Sequence, residues 1–271
     1  MILFPKAKIN LGLSVIEKRP DGFHNVETAM VSLALTDVLE LIPNRIGNTQ
    51  FEITGLDIAG DRKSNLVWKA WEIMQRRFDL PAVNIHLHKV IPSGAGLGGG
   101  SSDAAAMINL CNHQFKLGLQ EAEMEMLVKP LGADCAFFIK SRPAMATGKG
   151  DELSSLSLAL QKYRIVLVKP EIHVNTVEAY TWVTPSQKES SLLQIIYSDI
   201  HLWKENLIND FEEPVFLHHP ALKIIRDKLY EKGAVYASMT GTGAAVYGIF
   251  DQEINLTDEF QDCFVWQGKL S

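Results

Sequence analysis

Residues 92–103 read Pro92-Ser-Gly94-Ala-Gly96-Leu97-Gly98-Gly99-Gly100-Ser101-Ser102-Asp103, which places five glycines within seven positions. Glycine admits backbone conformations closed to other residues and lets N–H groups come close to a ligand. The segment joins a predicted strand to a helix expected to begin near Ser101. Phosphate suits such a junction, because the first N–H groups of a helix lack intrahelical acceptors and the positive end of its dipole faces outward. Ser101 and Ser102 add hydroxyl donors, and Ser102 is a candidate magnesium ligand. Gly94, Gly96 and Gly99 also spell G-x-G-x-x-G, so a nicotinamide-dependent dehydrogenase is the rival reading. That fingerprint wants a βαβ unit with an acidic residue ending the next strand about 20 residues on. Glu121, Glu123 and Glu125 instead fall in a helical stretch. The Gly-Lys-Ser/Thr of a P-loop is also missing, so a phosphate loop of a third type is expected.

Other residues with chemical potential are sparse. Lys8 and Asn10 share one face of an alternating strand, Asp134 follows Leu131-Gly-Ala, and a second glycine-bearing run spans Met239-Thr-Gly-Thr-Gly-Ala-Ala245. Asp134 by itself could equally be a helix N-cap. His86 and His88 share a strand face and His218 and His219 precede a proline, but no carboxylate or cysteine completes a metal set with either pair. Cys111, Cys135 and Cys263 are odd in number and lack C-x-x-C spacing, which points to packing in a reducing compartment. A net charge of −6 offers no broad basic surface for nucleic acid. The opening apolar run is too short for a signal-peptide h-region, and no stretch approaches the roughly 18 apolar residues of a membrane span. A cytoplasmic location is therefore expected.

These residues need elements to hold them. Ile9, Leu11, Leu13 and Val15 alternate with Lys8, Asn10, Gly12 and Ser14, the period of a half-buried strand. Pro20-Asp21-Gly22 marks a turn, and strands are expected over Thr28–Leu35, Val38–Ile42 and Phe51–Thr54, an antiparallel opening. Ser64 is the expected cap of a helix carrying Leu66, Ala70, Ile73, Met74 and Phe78, after which Val83, Ile85 and Leu87 form a strand. A boundary is expected near residue 160, giving domains 1–160 and 161–271. Beyond it come a strand over Arg164–Val168, a helix capped by Asn175 over Thr176–Val183, and a polar loop over 184–191. A helix then runs from Pro220 with Leu222, Ile225 and Leu229 inward and Gly233 at its end, followed by strands over Ala234–Ser238 and Ala245–Phe250. With 46% hydrophobic residues in 271 the chain can bury a sizeable core, and this order indicates α+β architecture.

Pro92-x-x-x-Gly96-Leu-Gly-Gly-Gly-Ser-Ser102 resembles the central motif of the GHMP kinases. Pro5-Lys-Ala-Lys8-Ile-Asn10-Leu resembles their first motif and Met239–Ala245 their third, in the family's order and across nearly the whole chain. The resemblance implies the GHMP kinase fold, with an N-terminal half like ribosomal protein S5 domain 2 and a ferredoxin-like C-terminal half. It also implies ATP as co-substrate with Mg²⁺. Arg19-Pro-Asp-Gly-Phe23-His24, Leu131-Gly-Ala-Asp134 and Pro170-Glu-Ile-His-Val-Asn-Thr176-x-x-x-Tyr180 resemble the branch of that family acting on a cytidine-diphosphate-linked sugar alcohol in isoprenoid synthesis. Mevalonate, galactose and homoserine kinases do not share the combination of Ala7-Lys8-Ile-Asn10-Leu with Arg19–His24. Carried over residue by residue, Lys8 and Asp134 are catalytic, and Pro92, Gly94, Gly96, Leu97, Gly98, Gly99, Gly100, Ser101 and Ser102 hold the ATP phosphates. Asn65, Leu66 and Lys89 fall on the nucleoside side. Asn10, Phe23, His24, Thr176, Tyr180, Thr242 and Gly243 meet the acceptor substrate, with Phe23 and Tyr180 sandwiching the cytosine and His24 reading its edge. Phe23 stands where tyrosine is common and Thr240 where serine is usual. The implied partner is a small molecule, with no nucleic acid or membrane, and the chain is expected to be a monomer or homodimer. A binding protein that kept the fold and lost catalysis is the non-enzyme alternative.

Overall fold

The computed structural model describes residues 1–44, 47–58, 60–188 and 190–270, so Glu189 of the expected polar loop lies outside the described residues. Strands β1 (Ile2–Leu3), β2 (Lys6–Lys18), β3 (His24–Thr36), β4 (Val38–Pro43) and β5 (Gln50–Gly55) precede helix α1 (Leu66–Phe78) and β6 (Val83–Lys89). Helices α2 (Gly99–Phe115), α3 (Glu121–Val128) and α4 (Cys135–Lys140) follow, then β7 (Ala144–Thr147), β8 (Glu152–Ser155) and β9 (Arg164–Pro170). The last third holds α5 (Thr176–Trp182), α6 (Leu192–Ile196), α7 (Trp203–Asn206), α8 (Glu212–His218), α9 (Pro220–Glu231), β10 (Tyr236–Met239), β11 (Val246–Phe250) and β12 (Cys263–Lys269). This is an α+β fold. The chain forms two compact units that interleave in sequence: unit 1 comprises 1–7, 35–93 and 98–142, and unit 2 comprises 8–34, 94–97 and 143–271. They divide the sequence differently from the single boundary expected near residue 160.

Unit 1 is a sheet in the order β1-β4-β6-β5, with α1 packed on α2, and α2 contacting β1 and β4. β4 runs antiparallel to β6, but β5 runs parallel to it, because α1 carries the chain back across the sheet. The opening is thus less uniformly antiparallel than the turn signals suggested. Asn65, not Ser64, caps α1, its Oδ1 accepting from Val67 N–H at 2.9 Å. Val67, Ala70, Trp71 and Met74 form its buried stripe.

Unit 2 contains the sheets β2-β3-β7-β8 and β10-β11-β9-β12. Leu13, Val15 and Val26 share a core cluster with Val166, Val168, Phe211, Leu222, Leu229, Val246 and Phe250. The expectation of a half-buried β2 is corrected: every residue from Ala7 to Val15 is buried, on both faces. Its polar face holds Lys8, Asn10 and Ser14, and tertiary packing rather than strand period covers it. Asn175 caps α5, accepting from Val177 and Glu178 N–H at 2.9 and 3.3 Å. α9 begins at Pro220 and buries Leu222, Ile225 and Leu229.

Candidate active site

Within unit 2, residues distant in sequence converge on Asn10. Lys8 Nζ donates to Asn10 Oδ1 at 2.6 Å, and Asn10 Nδ2 donates to Thr28 Oγ1 at 3.0 Å. The Asn10 backbone N–H donates to Thr240 Oγ1 at 3.0 Å, while that hydroxyl lies 3.2 Å from both Asn10 Oδ1 and the Gly96 carbonyl. Tyr247 donates to the Asn10 carbonyl at 2.7 Å. Lys8 N–H reaches Leu97 O at 2.9 Å, and Ala245 N–H reaches Ala95 O at 3.2 Å. The first motif, the middle of the glycine loop and the third motif are therefore hydrogen-bonded into one patch. Gly96 is essential to the packing, because with φ of +74° a Cβ there would sit 2.1 Å from the Thr240 carbonyl oxygen. Lys8 and Asn10 are each only 3% exposed, a burial tolerable for such polar groups because each is bonded. Asn10, expected at substrate hydroxyls, here has its amide engaged by Lys8, Thr240 and Thr28.

The third motif continues to Thr242, whose hydroxyl lies 3.3 Å from that of Thr176 at the start of α5. Gly243 adopts φ of +95° beside Met239. The motif is held from behind by residues that sequence reasoning missed. Asn209 Nδ2 donates to the carbonyls of Met239 and Gly241 at 2.8 and 2.9 Å, and Glu212 accepts the Met239 N–H at 2.6 Å. These two also line the cavity of about 820 Å³ in unit 2, which contains none of the predicted site residues. The two expected walls of a base site differ. Phe23 is 58% exposed with Lys149 Nζ 4.7 Å above its ring, whereas Tyr180 is half-buried, edge-on to Phe211. His24 stacks directly on Tyr180, with centroids 4.7 Å apart. Burial, assisted by the charge of Lys18, lowers the His24 pKa.

Unit 1 holds the other end of the glycine segment. Gly98, at φ of +68°, turns the chain into α2, which begins at Gly99, two residues before the expected start. The first-turn N–H groups thus come from glycines and Ser101. Ser102 is buried in this turn and its N–H bonds Gly98 O at 2.9 Å. Leu66 lies beside Gly100, with Leu66 Cδ1 3.7 Å from where a Cβ would stand. Asn65 uses its side-chain oxygen as the α1 cap, beside a cavity of about 330 Å³. Asp134 occupies the N-cap position of α4, but its carboxylate makes no capping bond. Lys89 does not face outward: it is 4% exposed and paired with Asp37 and Asp103.

Comparison with known proteins fits this arrangement. Sequence profiles described as "GHMP kinases N terminal domain" and "GHMP kinases C terminal" match residues 65–142 and 192–263. A 4-diphosphocytidyl-2-C-methyl-D-erythritol kinase of Parabacteroides distasonis is 45% identical over 273 residues, covering all of both chains. Its counterpart in Bacteroides thetaiotaomicron is 47% identical over 274 residues, again covering both in full. A crystal structure of 4-(cytidine 5'-diphospho)-2C-methyl-D-erythritol kinase superposes with a TM-score of 0.78 at 30% identity, over 92% of this chain and 89% of that one. The dehydrogenase reading is thereby set aside, its G-x-G-x-x-G being part of a kinase loop. By full-length similarity and by the meeting of its three motifs, the chain belongs to the 4-diphosphocytidyl-2-C-methyl-D-erythritol kinase family of the GHMP kinases.

Proposed function

We infer that this chain transfers the γ-phosphoryl group of ATP to the 2-hydroxyl of 4-diphosphocytidyl-2-C-methyl-D-erythritol, a step of non-mevalonate isoprenoid synthesis. The observation that carries this reading is the bonding of Lys8–Asn10, Gly96 and Thr240 into one polar patch, in a chain similar along its whole length to kinases of that name. Phosphoryl transfer asks a protein mainly for positioning and charge stabilisation. Asp134 takes the proton of the 2-hydroxyl as its oxygen bonds to the γ-phosphorus and ADP departs, a role contributing about 10²–10⁴-fold. Lys8, oriented by its bond to Asn10, stabilises the negative charge of the transferring group. The N–H groups of the glycine segment, of Leu97 and of Ser101 in the α2 first turn cradle the phosphates, with Pro92 setting the entry to the loop and Ser102, whose N–H bonds Gly98 O, offering its hydroxyl. Asn65 and Leu66 border the nucleoside. Phe23, Tyr180 and His24 take the cytosine, and Thr176, Thr242 and Gly243 close on the acceptor.

In this reading a magnesium ion is carried by the nucleotide, held by its phosphate oxygens with the Ser102 hydroxyl as the chain's candidate ligand. Among the described residues no group of three or more His, Cys, Asp or Glu is arranged to hold a metal. When bound it neutralises phosphate charge. No helix among the described residues is long and apolar enough to cross a membrane, and we read the enzyme as cytoplasmic, a monomer or homodimer. Residues 1–160 and 161–271 correspond in this reading to the N- and C-terminal modules, whose profiles fall on either side of that boundary.

The test is an ADP-release assay with purified protein, ATP, and in turn diphosphocytidyl-methylerythritol, mevalonate and homoserine. Turnover is expected with the first alone, and Asp134→Asn is expected to reduce kcat by about 10²–10⁴-fold with the ATP Kd little changed. Activity only with mevalonate or homoserine moves the assignment within the GHMP kinases. Absence of turnover with intact ATP binding favours the non-catalytic alternative.

A further inference from the structure

Beneath the phosphate loop lies a buried ion triple that the reaction itself does not use. Asp37, between β3 and β4, is 0% exposed, Lys89 at the end of β6 is 4% exposed, and Asp103 in the second turn of α2 is 2% exposed. Lys89 Nζ bonds Asp37 Oδ2 and lies 2.7 Å from Asp103 Oδ2. The remaining oxygen of Asp37 accepts the backbone N–H groups of Val90 and Ile91 at 2.6 and 2.8 Å. Those two residues immediately precede Pro92, where the glycine segment begins. Asp103 lies just beyond Ser102, where that segment ends. The three side chains thus bridge the chain before the loop to the helix after it. Gly99 fits the same arrangement, since a Cβ there would lie 3.0 Å from Ile91 Cγ2 and 3.3 Å from Lys89 Nζ.

Stability alone gives little reason to bury two carboxylates on one ammonium. Desolvating three charges costs more than well-packed apolar residues would, and here one carboxylate is in excess. Asp103 Oδ1 has no hydrogen-bond partner at all. Fixed geometry is what the arrangement supplies. A loop of glycines has a large conformational entropy to lose on clasping phosphate, and fastening both its ends lowers that cost before the ligand arrives.

We propose that Asp37, Lys89 and Asp103 are positioning residues that hold the two ends of the glycine segment at the spacing that receives the ATP phosphates. This rests on the reading of that segment as the ATP phosphate loop. Lys89, expected from sequence beside the nucleoside, acts on the nucleotide through the loop ends and not by touching it. Removing Lys89 would leave two uncompensated buried carboxylates, so the informative variants are those of the aspartates, each of which leaves a neutral pair behind. Asp103→Ala cuts the bridge on the α2 side. Asp103→Asn keeps an oxygen that can accept from Lys89 and serves as the rescue.

The experiment is calorimetric ATP binding together with KM for each substrate, on wild type and both Asp103 variants. For Asp103→Ala we expect ATP Kd and KM to rise about tenfold with KM for the acceptor within about twofold, and for Asp103→Asn most of that loss to be recovered. Equal changes in both KM values, or none, overturn the proposal. If Asp103→Ala does not fold, Asp37→Asn replaces it: its oxygen still accepts from Val90 and Ile91, but its amide donor opposes Lys89, and the same selective loss for ATP is expected. Normal ATP affinity in that variant, or failure of both to fold, also overturns it. Wild-type protein that binds no ATP would instead remove the phosphate-loop reading itself, which separates the two failures.

Discussion

In the proposed reading Phe23 and Tyr180 flank the same base, yet they stand in different energetic surroundings. Phe23 is exposed, so Phe23→Ala removes little packing and should leave the melting temperature unchanged. If it stacks on cytosine, KM for the cytidine substrate should rise roughly 5- to 150-fold, the equivalent of ~1–3 kcal/mol, with KM for ATP unmoved. Tyr180 packs against Phe211 and carries His24 on its face, so Tyr180→Ala should raise the same KM and also destabilise the fold by roughly 2 kcal/mol, less than a fully buried aromatic costs. Steady-state kinetics alongside thermal melts separate the two effects. A Phe23→Ala enzyme with wild-type KM would take that wall away from the base site. The run Arg19–His24 discloses that aromatic residues follow a turn. It cannot disclose that His24 lies on Tyr180, because that contact is made by residues 156 positions apart in the sequence.

The glycine-rich segment shows which of its members the backbone requires. Gly99, dense though the run is around it, has ordinary helical geometry, and the demanding positions are Gly94, Gly96 and Gly98 with φ of +60°, +74° and +68°. Gly96 is the most constrained, for an L-residue there meets both the left-handed penalty of about 1–2 kcal/mol and the Thr240 carbonyl. Gly96→Ala should therefore displace the third motif as well as the loop. We expect ATP affinity to fall at least tenfold by calorimetry and acceptor KM to rise with it, unlike the selective loss predicted for Asp103→Ala. An enzyme unaffected by Gly96→Ala would mean that this approach of loop and motif does not matter for binding. Spacing alone marks the segment as a candidate phosphate loop, whereas the partner that forbids a side chain lies 144 residues away.

For the whole molecule, the buried acids set a direction for stability against pH. Burial pushes the Asp103 carboxyl up to about 7 from an ordinary 3.8, although Lys89 opposes the shift. Burial also lowers Lys89, but Asp103 and Asp37 outweigh it and hold the ammonium above its usual range. A folded-state pKa raised for an acid means that the native protein binds more protons than the unfolded chain between those values. The contribution of Asp103 is therefore greatest in acid and declines as pH rises from about 4 to about 7, by at most about 1.4 kcal/mol per pH unit. Urea unfolding of wild type and Asp103→Asn across this range should show the wild type losing stability relative to the variant as pH increases. Parallel curves would show that Asp103 titrates as an exposed acid does.

The family and the reaction class were legible in the sequence, because Lys8–Asn10, the Pro92–Ser102 run and Met239–Ala245 are contiguous and their chemistry is local. The starts of α5 and α9 were legible for the same reason, since Asn175 before an apolar stripe and Pro220 at a first turn act within a few residues, whereas the cap of α1 falls on Asn65 and not on Ser64. Tertiary structure alone decided that β2 is buried on both faces, that Asn10 binds Lys8 and Thr240 together, and that Asn209 and Glu212 support the third motif from α8 and the chain before it. It also placed Lys89 at the centre of an ion triple, with Asp37 as a member that no motif had marked. Each of these depends on which distant segment covers a polar group. A pattern of residue types fixes where a side chain points along its own strand or helix, but the partner that satisfies it is chosen by packing between elements.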